Sequence, residues 1–393
     1  MPYILPRLIS VSDQMALVLA FGTLSVLEVC SVMGEGISSV ETPCERVGIV
    51  RADPRTLSSL PNLAGVHKAA PLIANVDAEH MGLSAIAEAI AGCFDTLRTL
   101  SLSGYGVNEE EYEALVRLLL DEFRRTGFRK VRLLRPKGNE LMAEEVLSRK
   151  VLDVIAFPYH GGYGLGPTSW VSQSGALRDR GVCKPAPHSE ISMSPRLASL
   201  LLNLAGLSSG QIVLDPFCGS GTILAEALLR SYKCFGFDTN EVRIRDARRN
   251  LSWLSHDLHH ANFNVQVGDA RELLMAMGGS QVDAVVTEPL LLPTLRARPK
   301  LVTASALLER ASEIYADALT SMVKVISPGG RIVIVVPVVR TIEGKDLTIT
   351  LEGKSLGLKP YQPRPINFEY PVGLSFESTR WIKRAVYVFE SRA

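Results

Sequence analysis

The second half of the chain alternates two hydrophobic periods. Ile212-Val213-Leu214-Asp215 is an apolar run of strand length that ends on an acid, and Ile223 to Leu229 follows with apolar positions at helical spacing. Lys233 to Asp238 is a second run ending in an acid, Asn262 to Asp269 a third and Val282 to Glu288 a fourth, with helical stretches between them. Strands with polar tips that alternate with helices predict a doubly wound parallel sheet, with one ligand site at the strands' carboxyl ends. Ala304 to Val325 reads as a long amphipathic helix, Ser327-Pro328-Gly329-Gly330 as a tight turn, and Arg331 to Pro337 as a fifth strand. Arg384 to Glu390 fits a last strand, antiparallel beside the sheet edge.

The first half alternates differently. Ala16 to Gly22 reads as a buried strand, with Thr23 capping a helix through about Met33. Breaks follow at Gly34-Glu35-Gly36, Asp53-Pro54 and Pro61-Asn62. Leu83 to Phe94 is helical and Thr96 to Leu102 alternates with period two. Asn108 with Glu111 has capping-box spacing and opens a helix through Arg125, while Val131 to Leu134 and Val151 to Phe157 read as strands. Glycine and proline density from His160 to Pro167, then from Arg178 to His188, predicts a linker. The expected division is an α+β subdomain over residues 1–65, a second α+β module over 66–158, a linker over 159–189 and an α/β domain over 190–393.

A chain of 393 residues is long enough for two or three such domains, and 47% hydrophobic with 21% charged residues describes a soluble, well-packed protein. The net charge of +1 argues against an overall basic nucleic-acid binder, so any such contact needs a local patch. One candidate is Arg124, Arg125, Arg129, Lys130, Arg132, Arg135 and Lys137, seven cations within 14 residues. The plainer reading is a solvated helix end whose cations complement the helix dipole. Six cysteines without a C-x-x-C pair predict neither a metal site nor a disulfide framework. Met15 to Val26 is the most apolar stretch, but Gly22, Thr23 and Ser25 interrupt it, so no membrane partner is expected. Arg7 without a cleavage pattern argues against a secretory signal, and the expected location is the cytoplasm. Glu79-His80 reads as surface and His188 as structural.

The chemistry centres on Asp215-Pro216-Phe217-Cys218-Gly219-Ser220-Gly221-Thr222. Glycines between a strand tip and a helix allow a sharp turn and the close approach of a ligand, beside the free N–H groups of the helix start. The spacing is not that of a triphosphate-binding loop, and no third glycine follows, so a dinucleotide fold ranks second. A carboxylate at the tip of the second strand, Asp238, can accept both hydroxyls of a ribose.

These residues resemble the first motif of the S-adenosylmethionine-dependent amino methyltransferases. Met193-Ser194-Pro195-Arg196-Leu197-Ala198, continuing to Leu204-Ala205-Gly206, resembles the segment that precedes that motif in archaeal and eukaryotic tRNA guanosine-10 N2-methyltransferases. The likeness covers roughly residue 150 to the C-terminus well and the first 150 residues loosely. It implies a Rossmann-like S-adenosylmethionine-dependent methyltransferase domain preceded by a smaller α+β N-terminal region, with residues 66–158 as a THUMP-like RNA-binding module. The cofactor set it implies is Pro195, Asp215, Phe217, Gly219, Gly221 and Thr222, then Asp238 for the ribose, and Asp269 with Ala270 for the adenine. The RNA set is Arg129, Lys130, Arg132, Arg178 and Arg180, with Lys184 beside the last two, and no metal is implied.

Methyl transfer to an exocyclic amine needs acceptors for the amino protons, which draw the nitrogen lone pair out of the ring. The family provides them in an Asp-Pro-Pro-aromatic motif, and here the residues are Glu288-Pro289-Leu290-Leu291. Glu288, Pro289 and Leu291 are therefore the catalytic candidates, with leucine where an aromatic would stack on the base. The resemblance implies structured RNA as partner, tRNA before ribosomal RNA, and leaves open whether a small activator protein joins it. Guanine N2 in tRNA is the expected target. The alternatives are cytosine N4 in ribosomal RNA, adenine N6, a small-molecule or protein methyltransferase, and a catalytically silent RNA-binding relative.

Overall fold

The computed structural model describes residues 12–53, 55–76, 83–91, 99–127, 131–149, 151–172, 174–186, 193–256, 262–289, 292–293, 295, 297–374 and 381–392. The chain divides into two units, residues 1–175 with 364–366, and 176–363 with 367–393.

The first unit holds β1 (Gln14–Leu19), α1 (Thr23–Met33), β2 (Ile37–Cys44), β3 (Val47–Ala52), β4 (Val66–Pro71), β5 (Ala74–Val76), α2 (Leu83–Ala91), β6 (Thr99–Gly104), α3 (Glu109–Arg125), β7 (Arg132–Leu134), α4 (Ala143–Arg149), β8 (Leu152–Tyr159), β9 (Gly162–Pro167) and β10 (Trp170–Val171). One sheet runs β10-β4-β1-β3-β2, wholly antiparallel. β1 lies at its centre, and burial of both its faces explains its unbroken run Met15 to Leu19. The second sheet runs β5-β9-β8-β6-β7, with β6 parallel to β7 and β8. Ala16, Val18, Ile49 and Ala70 of the first sheet pack against Ile155 and Phe157 of the second. Within this layer the Lys68 ammonium meets the Asp153 carboxylate at 2.7 Å, and Ser103 donates to the other carboxylate oxygen at 2.8 Å. Both ionic groups are fully buried, and desolvation pushes the Asp153 carboxyl up against the pull of Lys68.

Two sequence expectations change here. Gly22, not Thr23, precedes the first turn of α1, and no side chain caps it. The capping box of α3 forms as expected: the Glu111 N–H donates to Asn108 at 2.9 Å and the Asn108 N–H to Glu111 at 2.8 Å. The second correction concerns the linker over residues 159–189, which contains β9 and β10. Glycines stand in β9 because a Cβ at Gly164 would lie 2.7 Å from the Phe157 ring and one at Gly166 2.1 Å from the Pro71 carbonyl oxygen.

The second unit, with the helix that leads into it, holds α5 (Ser174–Val182), α6 (Pro195–Ala205), β11 (Ile212–Asp215), α7 (Thr222–Leu228), β12 (Lys233–Asp238), α8 (Glu241–Ser255), β13 (Asn262–Val267), α9 (Leu273–Ala276), β14 (Val282–Thr287), α10 (Leu301–Val323), β15 (Ile326–Arg340), β16 (Asp346–Thr348), β17 (Leu358–Pro360), β18 (Val372–Gly373) and β19 (Ile382–Ser391). The sheet order is β13-β12-β11-β14-β15-β19-β17, parallel through β15, and β19 enters antiparallel between β15 and β17. From β11 the chain winds outward to β13 and returns to β14 on the other side. That reversal opens a crevice at the carboxyl end of β11, where doubly wound sheets bind ligands. The Pro328-Gly329-Gly330 turn is a bulge within β15: Val282 pairs with Ile326 and Ala284 already with Arg331. The α10 face carrying Ala304, Leu308, Tyr315, Leu319 and Met322 packs on β15 and β19.

Candidate functional site

Asp215 closes β11 almost completely buried. Its Oδ1 accepts the Thr287 hydroxyl at 2.7 Å and the Phe217 N–H at 3.2 Å. Burial drives its carboxyl up to about 7, the two hydrogen bonds oppose this, and the charges of Asp238 and Glu288 reinforce it. Asp215, Asp238 and Glu288, on three strand tips, therefore act on one electrostatic neighbourhood.

The glycine turn is shaped as the sequence predicts. Gly219 and Gly221 both have positive φ, +51° and +84°, and the position of a Cβ on Gly219 is open space. Asp238 ends β12 and receives the Gly219 N–H at 3.0 Å and the Asn240 N–H at 2.9 Å, which fixes the turn against the second strand. Phe217 is half-buried against the α10 side of the sheet. Pro195 is the first residue of α6, behind Ser194, which caps the helix by accepting the Leu197 N–H at 3.2 Å. Asp269 is held by Arg271, whose Nε and Nη2 reach its two oxygens at 3.0 and 2.6 Å, and these bonds lower its carboxyl. Ala270 beside it is buried.

On β14 the strand ends at Thr287 and runs into Glu288 and Pro289. The Glu288 Oε1 accepts the Arg384 Nε–H at 2.5 Å, with both side chains about seven-eighths buried. Leu291 lies outside the described residues, as do Arg129, Lys130, Glu79, His80 and His188. The same is true of the Arg178 side chain on α5.

The remaining cations divide. Arg132 is exposed on β7. Its neighbours Arg124 and Arg125 pair with Asp121 and Glu122 at 2.9 and 2.7 Å, and Arg135 pairs with Glu113. Acids of α3 thus offset part of the charge that the sequence concentrates there. Arg180 grips Glu226 with both arms, at 2.7 and 2.9 Å, and Glu226, 2% exposed, also accepts the Ser199 hydroxyl at 2.8 Å. That engagement favours a structural part for Arg180 over contact with RNA. Lys184 donates to the Thr222 hydroxyl at 3.2 Å, so Thr222 faces this ammonium.

Four residues went unnoticed in the sequence. Thr287 and Arg384 hydrogen-bond Asp215 and Glu288 as described. Asn250 of α8 donates to the Ser220 carbonyl at 3.0 Å and accepts the Ala186 N–H at 2.9 Å, clamping the glycine turn to the preceding segment. Arg271 covers Asp269. None lies in a local motif, and only the spacing of Arg271 to Asp269 was a signal that the sequence offered.

Residues 186–345 match the family model described as UPF0020, RMKL-like, methyltransferase domain. That stretch of the second unit is thus similar to an RMKL-like methyltransferase domain. The tRNA (guanine(10)-N2)-dimethyltransferase of Methanothermobacter thermautotrophicus is 34% identical over 148 residues, 37% of this chain and 39% of that protein. The chain thus spans about two-fifths of the length of this relative. Among solved structures, TrmN from Thermus thermophilus superposes over 96% of this chain and 99% of its own, with TM-score 0.56 and 18% identity. SMU.472, described as a putative methyltransferase complexed with SAH, superposes over 97% and 98%, with TM-score 0.51 and 11% identity. At these identities the superpositions show the fold alone, a Rossmann-like α/β one.

Proposed function

We propose that this protein transfers a methyl group from S-adenosylmethionine to an exocyclic amine of an RNA base, the guanine N2 of tRNA. The observation that carries the reading is the 2.7 Å hydrogen bond between Asp215 and Thr287. It ties the tip of the strand that would hold the cofactor to the residue before Glu288-Pro289.

The residues suit that cofactor. The Asp238 carboxylate, with buried Asp215 behind it, offers acceptors and negative charge to a cationic ligand. The Gly219 turn leaves room for the methionine part, and Asp238 is the acceptor for the ribose hydroxyls. Asp269 and the Ala270 backbone are the partners for adenine, with Arg271 sharing the Asp269 carboxylate. When bound, S-adenosylmethionine supplies a methyl group on an electron-poor sulfur.

The chain supplies acceptors and position. The Glu288 carboxylate takes one amino proton of the base in a hydrogen bond and the Pro289 carbonyl takes the other, which frees the nitrogen lone pair for attack. Holding the reacting groups in line accounts for ~7–11 kcal/mol of such a barrier. The likeness to the tRNA (guanine(10)-N2)-dimethyltransferase supports guanine N2 and tRNA. Cytosine N4 stays as the second reading because Glu288, one methylene longer than the aspartate of the resembled motif, suits a smaller pyrimidine ring.

The test separates binding from turnover. Asp238→Ala is expected to abolish S-adenosylmethionine binding in calorimetry, whereas Glu288→Ala keeps binding and loses methyl transfer to tRNA. Full turnover by Glu288→Ala would remove Glu288 from the mechanism.

A further inference from the structure

Glu288 departs from the aspartate that the resembled motif carries, and the structure offers a reason. β14, β15 and β19 are consecutive in the sheet, and adjacent strands lie ~4.8 Å apart, so about 10 Å separates β14 from β19. Glu288 follows the last residue of β14, and Arg384 lies near the start of β19, paired with Pro337 of β15. Thr287 pairs with Ile334 of β15, so both residues stand at the carboxyl end of the parallel strands. Their side chains cross that gap and meet at 2.5 Å, largely removed from solvent. An aspartate at 288 would end one methylene short, roughly 1.3–1.5 Å. Its carboxylate would then lie beyond hydrogen-bond reach of Arg384 without a shift of strand or side chain.

The geometry points to Arg384 as the positioning residue of the candidate catalytic glutamate: the longer acid at 288 and the arginine on β19 form one functional unit. This rests on the methyl-transfer reading given above. A carboxylate left to rotate would meet the base amine in many orientations. A guanidinium that holds one oxygen fixes the plane of the carboxylate and leaves the lone pairs of the other in a set direction. Arg384 also supplies positive charge beside a glutamate whose field reaches buried Asp215 and Tyr315. It touches neither base nor cofactor in this account and acts through Glu288.

The test uses the full chain, S-adenosylmethionine and an unmodified tRNA transcript, with kcat, KM and cofactor affinity measured separately. Arg384→Met keeps the aliphatic stem and removes the fork. It is expected to lower kcat about 10- to 100-fold, as misplacement of a reacting group by about 1 Å does, with cofactor affinity and the tRNA KM unchanged. Arg384→Lys is expected to recover part of the loss. Glu288→Gln combined with Arg384→Met is expected to be no slower than Glu288→Gln alone, since the arginine acts only through the glutamate. Losses that multiply in the double variant overturn the proposal, as does a normal kcat in Arg384→Met beside an inactive Glu288→Gln. A normal kcat in Glu288→Gln overturns the reading of Glu288 itself, a distinguishable failure. Should Arg384→Met not fold, Glu288→Asp carries the test: a loss of similar size is expected, and a normal kcat overturns the proposal.

Discussion

Replacing Asp215 with asparagine keeps the shape of the most buried acid of the site and removes its ability to ionise. In the folded protein the Asp215 carboxyl holds its proton up to about pH 7, chiefly because it is buried, whereas its ordinary value is 3.8. Between those limits the folded state binds a proton that the unfolded chain has released. Stability from this group is therefore fully present below about pH 4, falls as pH rises, and is lost above about pH 7. Each pH unit in the window is worth about 1.4 kcal/mol, so the ionised carboxylate costs the ligand-free protein up to about 4 kcal/mol. Asparagine retains an oxygen for the Thr287 hydroxyl and the Phe217 N–H, so the packing around it is preserved. Urea unfolding at pH 5 and pH 8 is the assay. The wild type is expected to lose stability between the two pH values by an amount that Asp215→Asn does not lose, and the variant to be the more stable protein at pH 8. It is also expected to bind S-adenosylmethionine more weakly, a trade of function against stability. Equal pH slopes in the two proteins would mean that Asp215 does not retain its proton in the folded state.

Other consequences follow from the same geometry. Thr287→Val leaves the Asp215 Oδ1 without its 2.7 Å donor, with an expected cost of about 1–3 kcal/mol in thermal or urea unfolding and a raised S-adenosylmethionine Kd. Lys68→Met strands the fully buried Asp153 in the first unit and is expected to destabilise it by about 3–5 kcal/mol, whereas replacing both partners with apolar residues recovers much of the loss. Chemical denaturation of the single and double variants checks this.

Strand tips were legible because acids interrupt apolar runs in sequence: Asp215 and Asp238 end their strands and Glu288 follows β14 directly, whereas Asp269, expected as the end of the third strand, stands two residues beyond it. The capping box of α3 was equally local. What the pattern hid depends on distant pairing. Arg384 reaches Glu288 only because β19 inserts antiparallel beside β15, 96 residues along the chain from the acid it holds. The pairing of Arg180 with buried Glu226, 46 residues along the chain, has no local signal either. The glycines of β9 signalled a linker, yet Gly164 and Gly166 serve close approach of neighbouring strands, a use of glycine that looks the same in sequence. The cations at the end of α3 and beyond it read as a patch, but acids one turn earlier on the helix pair with Arg124 and Arg125.

Whether the protein methylates guanine N2 of tRNA is decided by incubating the full chain with methyl-labelled S-adenosylmethionine and unmodified tRNA, followed by nucleoside analysis. Label is expected in N2-methylguanosine or its dimethyl form. Label in a methylcytidine, or no label from a protein that binds the cofactor, would contradict guanine N2 methylation.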